Sequence, residues 1–357
     1  VYKRQVYTRS GVVIDAPWDW GMGLWLELHN TNGNVKKWDW PVMGIIALDR
    51  KHQVPLTKLD SKMRHTTRVA NLKVGTDVYD PKLKYSDRRR PNLAKVARRF
   101  YQYFPDRYDF LTVWNMEDVP PGFYHQPVQN GVKGIGLGRY DASGAYGSRG
   151  RLKGINFLGR SGEYALLHET VHQWAAFLDK MGLSRGGHWW AVNIRGILYG
   201  IDFKKLGYRK YKITWTPGSG PHDDRLSWME MYLAGLAMKR EVPKVTRLGG
   251  VDPRYVRKGQ IVRPTSVVTR SIDQIVARFG KREPDYGKSR KHFRMGTVLL
   301  TVGRFATSAE MTAHHLTMAK FGGSGGNDWD HPTTSYPSWK YATRGRSTMK
   351  TNLGAPK

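Results

Sequence analysis

The chain has 357 residues, 39% hydrophobic and 12% aromatic, with 59 Lys+Arg against 29 Asp+Glu, a formal charge of +30, and no cysteine. That apolar content excludes a disordered chain and supplies a core large enough for two or three domains. The absence of cysteine excludes disulfide scaffolds, thiolate metal sites and cysteine nucleophiles, and no apolar run reaches the ~18 residues that a membrane-spanning helix requires.

The opening Val1-Tyr2-Lys3-Arg4-Gln5 reads as translated adapter sequence and is set aside from the fold. Residues 6–60 read as β-rich: Val12-Val13-Ile14 is a short apolar run, Leu24, Leu26 and Leu28 alternate with polar or aromatic residues, and Asn32-Gly33 supplies a hairpin turn. Residues 61–90 are polar and basic, ending in Arg88-Arg89-Arg90-Pro91, a domain boundary. Leu93, Val96, Ala97, Phe100 and Phe104 keep helical spacing up to Pro105, and Asp109 to Trp114 reads as a buried strand. The glycines at 131, 134, 136 and 138 match no phosphate-binding pattern and mark turns, with strands at Gly134 to Leu137 and Leu152 to Leu158. Ser161 caps a helix running to about Met181 and stopped by Gly182, with Glu163 in its first turn. A second apolar helix runs from Ser227 to about Arg240. The tail carries a helix at Ile272 to Phe279, a strand at Gly296 to Val302, a helix at Ser308 to Phe321 and a loop at Gly322 to Pro337. The expected organisation is a β-rich module over 1–90, a catalytic domain over 91–250 and a C-terminal α/β segment over 251–357 packed on it.

The helix from Ser161 contains His168-Glu169-Thr170-Val171-His172. Residues four apart on a helix lie one turn above each other, so both imidazoles point one way and can bind one zinc ion, with Glu169 beside them to act on its water. Chance would place such a string in roughly 0.01 chains of this composition. Leu167, Val171, Trp174 and Leu178 form a separate packing stripe. A catalytic zinc site needs a third protein ligand and an open position. His188, in Gly187-His188-Trp189, is within reach: the helix runs roughly 13 Å past His172 and six extended residues return about 20 Å. Glu230 is the alternative, a lone charge in an apolar helix start, although Ser227-x-x-Glu230 is also a capping box. The sequence does not choose between them; His188 is taken as third ligand. His222 beside Asp223-Asp224 reads as an exposed turn, His314-His315 as one core and one surface residue, and Asp328-Trp329-Asp330-His331 as loop.

His168 to Trp174, with Gly187 to Trp189 and Ser227 to Leu236, resembles uncharacterised bacterial zincin-like proteins that run H-E-L-G-H-R-W, then Gly-His-Trp, then S-x-x-[DE]-L-Y-L-M-G-L. The likeness covers about residues 100–357, and Thr170-Val171 depart from it at positions that touch no metal chemistry. It implies an α+β fold with a mixed sheet on the HExxH helix, Zn2+ as cofactor and a secreted or periplasmic location; it carries no substrate with it, and a peptide or protein substrate is expected from the chemistry of the metal site. The expected activity is peptide hydrolysis, as an endopeptidase, by metal-activated water with Glu169 as general base. Tyr232 is a candidate oxyanion stabiliser, and the strand Leu152 to Leu158, or Gly134 to Leu137, a candidate peptide-binding strand. The rival reading is a polyanion-binding protein using Arg88 to Arg90 and Lys288, Arg290 and Lys291, or a zincin scaffold without turnover.

Overall fold

Phe110–Asn115 is buried along its whole length, as a parallel strand covered on both faces must be. In the computed structural model its alternate side chains enter two different cores. Leu111 and Val113 join Leu72, Ile155, Val298 and Leu300 under the helix Leu93–Tyr103, which contributes Val96, Ala97 and Phe100. Phe110 and Trp114 face the other way, into a core with Leu158, Leu299, Met311, Trp339 and the helix that carries His168.

The structure describes residues 53–79, 90–117, 122–159, 165–217, 225–323 and 337–357, and the backbone of four N-terminal strands. Ser161, Glu163, Arg88, Arg89, His222 and the run Asp328 to His331 lie outside the described residues. Eight strands form one mixed sheet. Its order is Thr57–Lys58, Met63–His65, Ala70–Val74, His292–Val302, Phe110–Asn115, Gly154–Gly159 and Tyr124–Pro127, with Thr348–Lys350 also paired to His292–Val302. Ala70–Val74, His292–Val302, Phe110–Asn115 and Gly154–Gly159 run parallel, and Tyr124–Pro127 closes the edge antiparallel. The class is α+β, as expected. The boundary expected near residue 90 falls inside this sheet, because Ala70–Val74 pairs with His292–Val302 from the C-terminal segment. The buried length of His292–Val302 makes that segment a central strand rather than a layer packed on the core.

The helices Ile272–Phe279 and Ser308–Phe321 occupy their expected spans, each behind a capping box. The other two are shorter than their sequence pattern. The His168 helix is Leu166–Val171, and the chain leaves it through Ala176 at φ 68° before a turn of 3-10 helix. The second is Trp228–Leu233, ended by Gly235 at φ 77°. In both cases apolar residues continue past the helix because the loops themselves are buried, with Trp174, Ala175, Leu236 and Ala237 all in the core. Gly134 to Leu137 is a bend and not a strand, with Gly134 and Gly136 at positive φ. Lys3–Tyr7, which overlaps the Val1 to Gln5 segment set aside in the sequence, pairs with Val13–Pro17, and Leu24–His29 pairs with Val35–Trp40; the expected Asn32-Gly33 turn lies outside the described residues. Among the described residues no helix is long and apolar enough to cross a membrane.

Candidate metal centre

One turn of the Leu166–Val171 helix sets the His168 and His172 rings with centroids 4.9 Å apart. His188 arrives from a hairpin, Ser184–Arg185 against His188–Trp189. The two turn residues between these strands, Gly186 and Gly187, have φ 57° and 79°, the left-handed pair that a tight two-residue hairpin demands. The turn brings the His188 ring 5.1 Å from His168 and 5.0 Å from His172. One ring nitrogen from each of the three histidines lies within 4.8 Å of the others.

Hydrogen bonding dictates which nitrogens face inward. His168 donates from Nδ1 to the Ile197 carbonyl at 3.0 Å, and His188 donates from Nδ1 to the Gly186 carbonyl at 3.0 Å. A carbonyl only accepts, so both protons sit on Nδ1 and each Nε2 carries a lone pair. Those two nitrogens face each other at 3.0 Å. Burial holds the His168 pKa down at about 4 and the His172 pKa at about 2, and lowers that of His188, so a proton does not bridge the pair near neutral pH. Two lone pairs at this distance repel, and a cation between them reverses the sign. Two nitrogens on one tetrahedral zinc stand ~3.3–3.4 Å apart, so the donor set fits such an ion.

Glu169 is buried on the same turn. Loss of solvent pushes its carboxyl up to about 7, opposed by the main-chain amide of His125 on the edge strand. The His125 ring ties that strand to the helix: its nitrogens lie 2.8 Å from Asn156 Oδ1 and 3.1 Å from Gln173 Oε1, and Asn156 donates to Thr170 at 2.8 Å. Gly154 leaves the room, since a Cβ there would stand 2.3 Å from the His125 ring. Gly154→Ala is therefore expected to destabilise the protein by about 1–3 kcal/mol, measured by urea denaturation.

Glu230, the alternative third ligand, is not in the cluster. It is fully buried, and both its oxygens are taken. Trp189 Nε1 (3.0 Å), Ile197 N (3.1 Å), Leu198 N (2.8 Å), and Ser227 N and Oγ (2.8 and 2.9 Å) all donate to it. Burial pushes its pKa up against these donors. The capping box holds, and the carboxylate also clamps the loop whose Ile197 carbonyl orients His168. Gly196 permits the close approach, since a Cβ there would lie 2.4 Å from Glu230 Oε2. Tyr232 lies two residues further on, ~200° around the helix, and is buried in the core beside Arg282; among the described residues no ring contact joins it to the three histidines. The aromatic residue at the site is Tyr199, whose ring stacks on His188 at 4.8 Å and lies 4.9 Å from His168. No spacing or periodicity marks Tyr199 in the sequence, and the same holds for His125.

Of the strand expected to bind peptide, Gly154 to Phe157 are paired on both sides, and Tyr124–Pro127 is the sheet edge, with no strand on its outer side among the described residues. Comparison with known protein families, with curated proteins and with solved structures finds no match to this chain.

Proposed function

We propose that the chain is a zinc-dependent peptidase of the zincin type, acting outside the cytoplasm as its resemblance implies. The opposed Nε2 lone pairs of His168 and His188, each oriented by a main-chain carbonyl, carry this reading. His168, His172 and His188 would hold Zn2+, which when bound supplies Lewis-acid polarisation of a carbonyl and acidifies water. Glu169, buried on the same helical turn as the two histidines, takes a proton from water at the site and returns it to the leaving amine. An extended peptide adds along the outer side of Tyr124–Pro127, next to Glu169, by main-chain pairing. Tyr199 lies against His168 and His188.

Purified protein is expected to hold one zinc per chain by elemental mass spectrometry and to cleave a generic protein such as casein, with both properties lost on chelation and restored by zinc. Protein that takes up no zinc at micromolar metal overturns the reading.

A further inference from the structure

Asp202–Gly207, Lys210–Trp215 and Ile261–Val262 form a three-stranded sheet on a small core of its own, built from Ala191, Ile201, Tyr211, Ile213, Leu248 and Val251. On the middle strand Tyr211, Ile213 and Trp215 point inward, and Lys212 and Thr214 point to solvent. Lys212 stands directly opposite Lys204 on one side and Ile261 on the other. Like charges directly opposed weaken a sheet. Among the described residues no ion pair takes up Lys204, Lys205, Lys210 or Lys212. The hairpin turn is costly as well. Arg209 has φ 47°, where Asn or Gly is favoured, and the turn presents Tyr208 at 89% exposure. Tyr255, ahead of the third strand, is 76% exposed. Each ring has an arginine over it, Arg209 at 5.7 Å and Arg254 at 5.4 Å. Over residues 202–215 and 252–263 nine Lys and Arg face two Asp, and one of those, Asp252, is paired with Arg254.

Of the basic residues singled out in the sequence, Arg88 and Arg89 lie outside the described residues and three others are engaged. Lys291 donates to the Gly235 carbonyl and covers Tyr286, Arg290 donates to the His292 carbonyl beside Asp109, and Arg90 lies over Tyr124.

We propose that this three-stranded sheet is a binding surface for single-stranded nucleic acid, its lysines following the phosphates and Tyr208 and Tyr255 stacking on bases. Cations alone would suit any polyanion, but exposed rings beside them match a strand with unpaired bases, which needs both. No residue of the three strands belongs to the histidine cluster.

The test is fluorescence anisotropy with a labelled oligothymidylate across about 50–200 mM salt, with and without chelator. Log affinity should fall linearly with log salt. Lys204→Glu with Lys212→Glu should weaken binding about tenfold and flatten the slope by ~1.4. Tyr208→Ala and Tyr255→Ala should each cost about fivefold or more. Lys204→Ser with Lys212→Ser replaces the charge reversal if that variant melts early. Four outcomes overturn the proposal. Equal weakening by Arg278→Glu with Lys281→Glu means that the whole-molecule charge binds. Indifference to both tyrosine variants, with heparin bound as tightly, means a sulfated glycan surface. Tyrosine-dependent binding to phosphatidylserine vesicles but not to the oligonucleotide means a membrane surface. Loss of binding with chelator ties it to the histidine cluster and overturns it as a separate surface.

Discussion

Glu169→Gln is expected to lower peptidase kcat/KM by about 10²–10⁴-fold while leaving zinc content at wild-type level. Glutamine keeps the shape of the side chain and an oxygen for the His125 amide, so the buried site keeps its packing. It cannot take up a proton, and a loss of 10³ corresponds to about 4 kcal/mol of barrier. None of the contacts that orient the rings involves Glu169: His168 is held by Ile197 and His188 by Gly186. A fluorogenic peptide assay beside elemental analysis checks both halves. Activity within tenfold of wild type would remove Glu169 from the chemistry, and loss of zinc along with activity would make it a ligand or a scaffold residue.

The second large effect is expected at Glu230. Glu230→Gln places an amide among donors that now all point at carboxylate oxygens, stranding at least one of them in a site with no access to water. Loss of charge-assisted, buried bonds of this number is expected to cost about 3–5 kcal/mol in urea denaturation. Zinc affinity is expected to fall 10–100-fold, because Glu230 holds both Trp189, next to His188, and Ile197, whose carbonyl orients His168. His188→Ala should show the converse, losing zinc while the metal-free protein unfolds within about 1 kcal/mol of wild type. The reverse pattern, with Glu230→Gln stable but zinc-free and His188→Ala still loaded, would restore Glu230 as the ligand.

Apolar patterning and end signals were good guides at two helices, since Ile272–Phe279 and Ser308–Phe321 occupy the spans expected of them. They misled at Leu166–Val171 and Trp228–Leu233, where apolar residues continue beyond the helix because buried loops use the same residue types. The basic stretch before residue 90 hid two sheet strands: Met63–His65 is too short to show a period, and Ala70–Val74 has its polar Asn71 buried and bonded to Leu299 and Thr301.

The sequence by itself determined the local part of the centre. His168, Glu169 and His172 are neighbours because one helical turn makes them so, whatever the rest of the chain does. The third histidine was a matter of tertiary structure, since His188 is separated from His172 by a broken helix and a glycine turn and is aimed by contacts that neither residue encodes. The same holds for Tyr199, for His125 on the sheet edge and for the inward carboxylate of Glu230. A ligand pair four residues apart is set by backbone geometry alone, whereas groups brought together across a fold depend on every hydrogen bond and packed side chain between them.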